Sequence, residues 1–122
     1  MAETSAGKPD AAILENLFRT IESRRGDDPK TSYTAKLMAR GLEKMCEKLG
    51  EEAFEVVVAA LRQGPDRVAE ESADLLYHLL VIWSESGVEP ADVWAALEGR
   101  VGTSGLDEKK ARKKKKKAKG KD

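Results

Sequence analysis

Residues 51–83 read EEAFEVVVAALRQGPDRVAEESADLLYHLLVIW, two apolar runs on either side of Gly64-Pro65-Asp66. Val56 to Leu61 is six apolar residues in succession, and Leu75 to Trp83 is interrupted only by His78. Their length and spacing predict a helix over Glu51 to about Gln63, a turn at Gly64-Pro65-Asp66, and a helix from about Arg67 to Ser86, hence an αα-hairpin. A helix that is apolar all round needs partners on more than one side. A chain of this size encloses a low fraction of its own surface, so the two arms are expected to bury their surplus in a homodimer with a shared bundle.

Working outward from the hairpin, Ile13, Leu14, Leu17, Phe18 and Ile21 fall on one helical stripe from Ala11 to about Arg25, with Asp10 as the expected N-cap. Gly26-Asp27-Asp28-Pro29-Lys30 is expected to be a loop. From Thr31 a second helix carries Leu37, Met38, Leu42, Met45 and Leu49, with joints expected at Gly41 and Gly50, each costing it about 1 kcal/mol relative to Ala. On the far side, Gly87 should end the long helix, Pro90 suits a first turn, and Val93, Trp94 and Leu97 make a last short stripe. The expected fold is all-α, four to five helices in an antiparallel bundle completed by homodimerisation.

Composition sets limits on function. The chain has 122 residues, of which 5% are aromatic, so its core is aliphatic and a multidomain enzyme is excluded. The formal charge is zero, yet residues 109–122 hold ten of the 22 bases and one of the 22 acids. Residues 1–108 therefore carry 12 bases against 21 acids, a formal −9. The expected division is an all-α domain over 1–108 and a disordered lysine-rich tail over 109–122. No aromatic interleaves the basic run for base stacking, so no specific nucleic-acid partner is expected. The single cysteine, Cys46, excludes an intrachain disulfide. No secretory signal is visible at Met1-Ala2-Glu3-Thr4-Ser5, and Leu75 to Trp83 is roughly half the ~20 residues of a membrane span. The expectation is a soluble, cytoplasmic protein.

The hairpin also carries the acids. Glu51, Glu52 and Glu55 stand on one arm and Glu70, Glu71 and Asp74 on the other. Spacings of three put Glu52 with Glu55, and Glu71 with Asp74, on common faces. In an antiparallel hairpin centred near Gly64-Pro65, Glu55 and Asp74 lie level with each other, roughly 14 to 15 Å from the turn. Carboxylates gathered in a bundle interior repel one another and require cations. Mg²⁺ fits best, because it takes hard oxygen ligands and shares them with substrate phosphates. The competing reading is that both acidic pairs are solvated helix faces. His78, one turn beyond Asp74, is placed to orient that carboxylate, and Tyr77 to give its hydroxyl to a carboxylate or ligand, although packing explains both residues as well.

At these residues the sequence resembles the phosphoribosyl-ATP pyrophosphohydrolase family of histidine biosynthesis, within the MazG-like all-α NTP pyrophosphatase superfamily. The resemblance runs from Leu14 to Arg112. It is carried by Ser32-Tyr33-Thr34-Ala35-Lys36-Leu37, Gly41-Leu42-Glu43-Lys44, Lys48-Leu49-Gly50-Glu51-Glu52-Ala53-Phe54-Glu55, the stretch from Glu70 to Leu80, and Gly102-Thr103-Ser104-Gly105. It implies Mg²⁺-dependent hydrolysis of the α-β phosphoanhydride of phosphoribosyl-ATP, with Glu52, Glu55, Glu71 and Asp74 as metal ligands and Glu51 adjoining. A carboxylate not engaged as a ligand, Glu51 or Glu55, would take the proton of the attacking water. Lys36, Lys44 and Lys48, with Arg40 as a weaker candidate, recur at helical spacing and are expected to meet the substrate phosphates. Gly102 to Gly105 offers amides and hydroxyls for phosphate or ribose. Two other readings stand beside this one: a house-cleaning pyrophosphatase of ordinary nucleoside triphosphates, and a nucleic-acid-associated helical module that binds through its tail.

Overall fold

The computed structural model describes residues 7–102, 109–110 and 112–116. Its elements are α1 (Ala12–Ser23), α2 (Tyr33–Ala39), α3 (Leu42–Val58), a π-helical continuation (Ala59–Gln63), α4 (Pro65–Ser86) and α5 (Pro90–Val101). Among the described residues there is no strand. The chain divides into two compact units, Met1–Val88 and Glu89–Asp122.

The first unit is built on the hairpin. Its connection is a single residue, Gly64, whose φ of 101° and ψ of 176° suit glycine. Pro65 and Asp66, expected in the turn, are instead the first residues of α4; proline lacks an N–H and fits N1, where none is needed. α3 and α4 therefore run antiparallel and pack along each other, with α1 against α4 and α2 against both. Phe18, Ile21, Leu37, Met45, Leu80 and Val81 form the core. It engages the C-terminal half of α4 and leaves the N-terminal half to the acids. Arg25 ties the end of α1 to that of α4, donating to Glu85 at 3.0 Å and to Ser84 Oγ at 2.7 Å.

The second predicted helix is jointed once. Gly41, at φ 94° and ψ 169°, separates α2 from α3, whereas Gly50 sits inside a helix continuous from Leu42 to the π segment. Hydrogen bonding on both sides of Gly50 outweighs its intrinsic cost. At α2 the cap is Ser32, whose Oγ accepts from the Ala35 N–H at 3.1 Å, so the helix begins at Tyr33, two residues later than expected. Asp10 does accept from Ala12 N–H at 2.9 Å, although the helix proper begins at Ala12 and ends at Ser23. Gly87, left-handed at φ 73°, closes α4 as expected.

In the single chain the first apolar arm stands largely open, whereas the second is mostly buried or half-buried. Of Val56 to Leu61 only Ala59 is buried, while Phe54, Val57 and Leu61 are 64%, 50% and 75% exposed. In the second unit the Asp92 carboxylate accepts from the Glu89 N–H at 2.9 Å and starts α5 beside Pro90. In the stretch expected to be disordered, Lys109, Lys110 and Arg112 to Lys116 are helical and exposed. Among the described residues no helix is long and apolar enough to cross a membrane.

Candidate active site

The hairpin brings Glu52 of α3 together with Glu71 and Asp74 of α4. One oxygen from each lies within 4.8 Å of the others. Glu71 is buried, Glu52 half-buried and Asp74 exposed, so the group opens from the interior to the surface. Burial pushes the Glu71 carboxyl above its ordinary range; Arg67 pulls it back, and the negative charges of Asp74, Glu55 and Glu52 push it further up. Arg67 donates to Glu71 at 2.7 Å and also bonds Glu70, which leaves Glu70 out of the acidic group. A single guanidinium thus faces several carboxylates. The donor set is all oxygen, without thiolate or imidazole, and it opens to solvent on one side. These residues fit Mg²⁺, which keeps waters and shares its sphere with phosphate.

Glu55 and Glu51 lie outside that group of oxygens. Glu55 is exposed and close enough to Glu71 to act on its charge. Glu51 points to a different neighbour, accepting from Lys48 Nζ at 3.1 Å. With Lys48 it lines a cavity of about 170 Å³ together with Tyr33, Lys36, Leu37, Arg40 and Lys44. The predicted basic residues therefore do converge, although not along one helix. Lys36 and Arg40 come from α2 and its end, Lys44 and Lys48 from α3, and the joint at Gly41 folds them around a common space. Lys44 is paired with Glu47 at 3.0 Å. The hydrogen bond and charge of Glu51, then the nearby Tyr33, raise the Lys48 pKa and keep its ammonium charged. The cavity adjoins the acids along α3, where Glu51 precedes Glu52.

Of the two readings open for His78 and Tyr77, the structure follows packing and not a carboxylate partner. His78 is buried, and its Nδ1 lies 2.9 Å from the main-chain carbonyl of Asp74, not from the carboxylate. A carbonyl only accepts, so Nδ1 donates to it, and Nε2 is hydrogen-bonded to the Tyr33 hydroxyl at 3.3 Å. Tyr77 meets Thr34 Oγ1 instead of a carboxylate, and burial raises its phenol pKa. Both residues tie α2 to α4. Their positions about one turn from Asp74 gave the neighbourhood but not the partners, which come from across the fold. Arg67 was missed altogether; its i,i+4 relation to Glu71 was the available signal. Thr103, Ser104 and Gly105 lie outside the described residues.

An all-α hairpin that pairs converging carboxylates with a basic cavity defines a class of protein equipped to hold a divalent cation against a polyphosphate. The comparisons narrow it. Residues 14–101 match the phosphoribosyl-ATP pyrophosphohydrolase family, and the chain belongs to that family. It is 62% identical over 106 residues to the phosphoribosyl-ATP pyrophosphatase of Paramagnetospirillum magneticum, covering 87% of this chain and 97% of that one. The corresponding protein of Rhodospirillum rubrum is 58% identical over 87% of this chain and 91% of its own, and that of Azospirillum brasilense 55% over 87% and 96%.

Proposed function

We propose that this chain is a hydrolase of phosphoribosyl-ATP in histidine biosynthesis, cleaving the α-β phosphoanhydride to release pyrophosphate and phosphoribosyl-AMP. The observation that carries the reading is the meeting of Glu52, Glu71 and Asp74 within 4.8 Å, in a chain of this family. Those three carboxylates would hold Mg²⁺, with Glu55 beside them as a fourth acid that is not among the grouped oxygens. The ion would neutralise the polyphosphate and lower the pKa of a bound water. Of the two acids considered for taking the water's proton, Glu55 is better placed: Glu51 is held by Lys48, while Glu55 is exposed beside the cluster. Lys36, Lys44 and Lys48, with Arg40, bind the phosphates that project beyond the acids. Arg67 offsets part of the charge on Glu71.

The exposed stripe of Phe54, Val57 and Leu61 supports a homodimer in the same reading, and residues 109–122 are an appendage to the catalytic fold. The test is pyrophosphate release from phosphoribosyl-ATP against common nucleoside triphosphates, with Mg²⁺ and with chelator. Faster turnover of phosphoribosyl-ATP, abolished by chelator, is expected; equal or faster turnover of the triphosphates would replace the reading with a house-cleaning one. Removing residues 113–122 should leave turnover unchanged. Loss of all activity on removal would favour the tail as the working part.

A further inference from the structure

Tyr33 is exposed and yet held in place. The residue as a whole is 52% exposed. Its hydroxyl bonds His78, its ring lies edge-on to His78 at 6.1 Å, and it tilts against Tyr77 at 6.2 Å. His78 is itself buried and anchored to the Asp74 main chain. A surface tyrosine of no particular role keeps its hydroxyl in water and its ring free to turn; this one is fixed at the hydroxyl end while half its surface remains open.

Two concavities meet at that ring. One is the lysine cavity already described. The other, wider, at about 550 Å³, is lined by Pro29, Lys30, Thr31, Ser32, Tyr33 and Lys36. Tyr33 and Lys36 line both. Lysines alone accept any polyphosphate, inorganic pyrophosphate included, because they recognise only charge. An aromatic face adds what phosphate lacks, a surface on which a planar base can stack.

We propose that Tyr33 is a specificity-determining residue: its ring, anchored through His78, is the platform on which the purine base of the nucleotide stacks, with the base in the wider concavity and the phosphates in the lysine cavity. This rests on the reading of the chain as a nucleotide pyrophosphohydrolase and adds where the base sits. Every base has a π-face, so the platform selects nucleotides over inorganic polyphosphate without choosing among bases.

The experiment is calorimetric titration of AMP and of pyrophosphate, in Mg²⁺ buffer, into the full chain and into Tyr33→Leu and Tyr33→Phe. Tyr33→Leu should weaken AMP on the order of tenfold, the scale of one lost stacking contact, and leave pyrophosphate unchanged. Tyr33→Phe keeps the ring and should hold AMP within about threefold of the original, well inside that same scale. Because Tyr33→Leu also removes the bond to His78, NMR of the unaltered protein supplies a reading free of folding effects. The Tyr33 ring protons should shift with AMP and not with pyrophosphate. Undiminished AMP binding in Tyr33→Leu, equal weakening of both ligands, or Tyr33 protons indifferent to AMP would each overturn the proposal. Binding does not require turnover, so a chain whose Tyr33 variants distinguish AMP binding from pyrophosphate binding as expected, yet which leaves phosphoribosyl-ATP intact, would remove the substrate reading and keep the platform.

Discussion

At the scale of the residue, Glu71 is the group whose environment says most. Burial and three neighbouring acids raise its folded-state pKa above its unfolded value, so the folded protein binds that proton more tightly than the unfolded chain does. The stability this contributes is present below the unfolded carboxyl pKa and is lost as pH rises through the folded value. Mg²⁺ needs the carboxylate ionised and competes with the same proton. The rise in melting temperature caused by Mg²⁺ should therefore be smaller at a mildly acidic pH than at a mildly alkaline one. A metal effect that is flat across that interval would mean Glu71 is not among the ligands. Asp74→Asn and Glu55→Gln remove charge from exposed positions, so both variants should fold. Each should lower turnover by about two orders of magnitude or more, the cost of a group that acts mainly in the transition state. Wild-type rates measured in both would refute the assigned roles.

At the scale of the element, two glycines of the same region make opposite predictions. Gly41 holds φ 94° and ψ 169°, a region nearly closed to other residues, and a Cβ there would meet no heavy atom within 4 Å. The penalty for Gly41→Ala is therefore backbone strain alone, about 1–3 kcal/mol. The affinity for substrate should fall with it, because the joint folds Lys36 and Arg40 toward Lys44 and Lys48. Gly50 lies exposed inside α3, also with nothing within 4 Å. Gly50→Ala should stabilise by roughly 0.5–1 kcal/mol. Denaturant titrations of the two variants would check the contrast, and shifts of the same sign would contradict it.

These glycines also mark how far the sequence could be read. Helical stripes, the hairpin and the acidic pairs were legible because they follow from local spacing, and so were Gly87 and Pro90 as stop and start. Which glycine breaks a helix was not, since that depends on what the next turn packs against. The same division runs through the site. Glu52, Glu71 and Asp74 meet across the hairpin, but counting from the turn sets Glu55 level with Asp74, and Glu55 lies outside the group because the direction of each side chain also decides which residues meet. His78 and Tyr77 take partners from α2 that no spacing within α4 could reveal. The lysines were recognised as a set for a reason that proved incomplete: they surround a cavity because α2 folds back at Gly41, and not because they share a helix.

At the scale of the whole molecule, the unsettled surface is the outer face of the hairpin. Phe54, Val57 and Leu61 recur at helical spacing and stand 64%, 50% and 75% exposed in a single chain. Scattered apolar residues on a surface call for no explanation, but a stripe on the helix that also carries Glu52 and Glu55 does. Leaving such side chains in water forgoes about 25 cal/mol for each Å² that a partner would cover. In the proposed homodimer, a second copy of the chain would offer the same stripe and close the contact by two-fold symmetry. Since Phe54 and Leu61 are exposed in the single chain, Phe54→Asp and Leu61→Lys should leave the fold within about 0.5 kcal/mol of the original, as surface changes generally do. They should nevertheless halve the sedimenting mass at micromolar concentration. An original chain that already sediments as a monomer, or variants that remain dimeric, would place the interface elsewhere or remove it. If dissociation also lowers turnover while circular dichroism stays unchanged, the acids of α3 depend on the partner for their working arrangement, because the stripe and the ligands share one helix and cannot move independently.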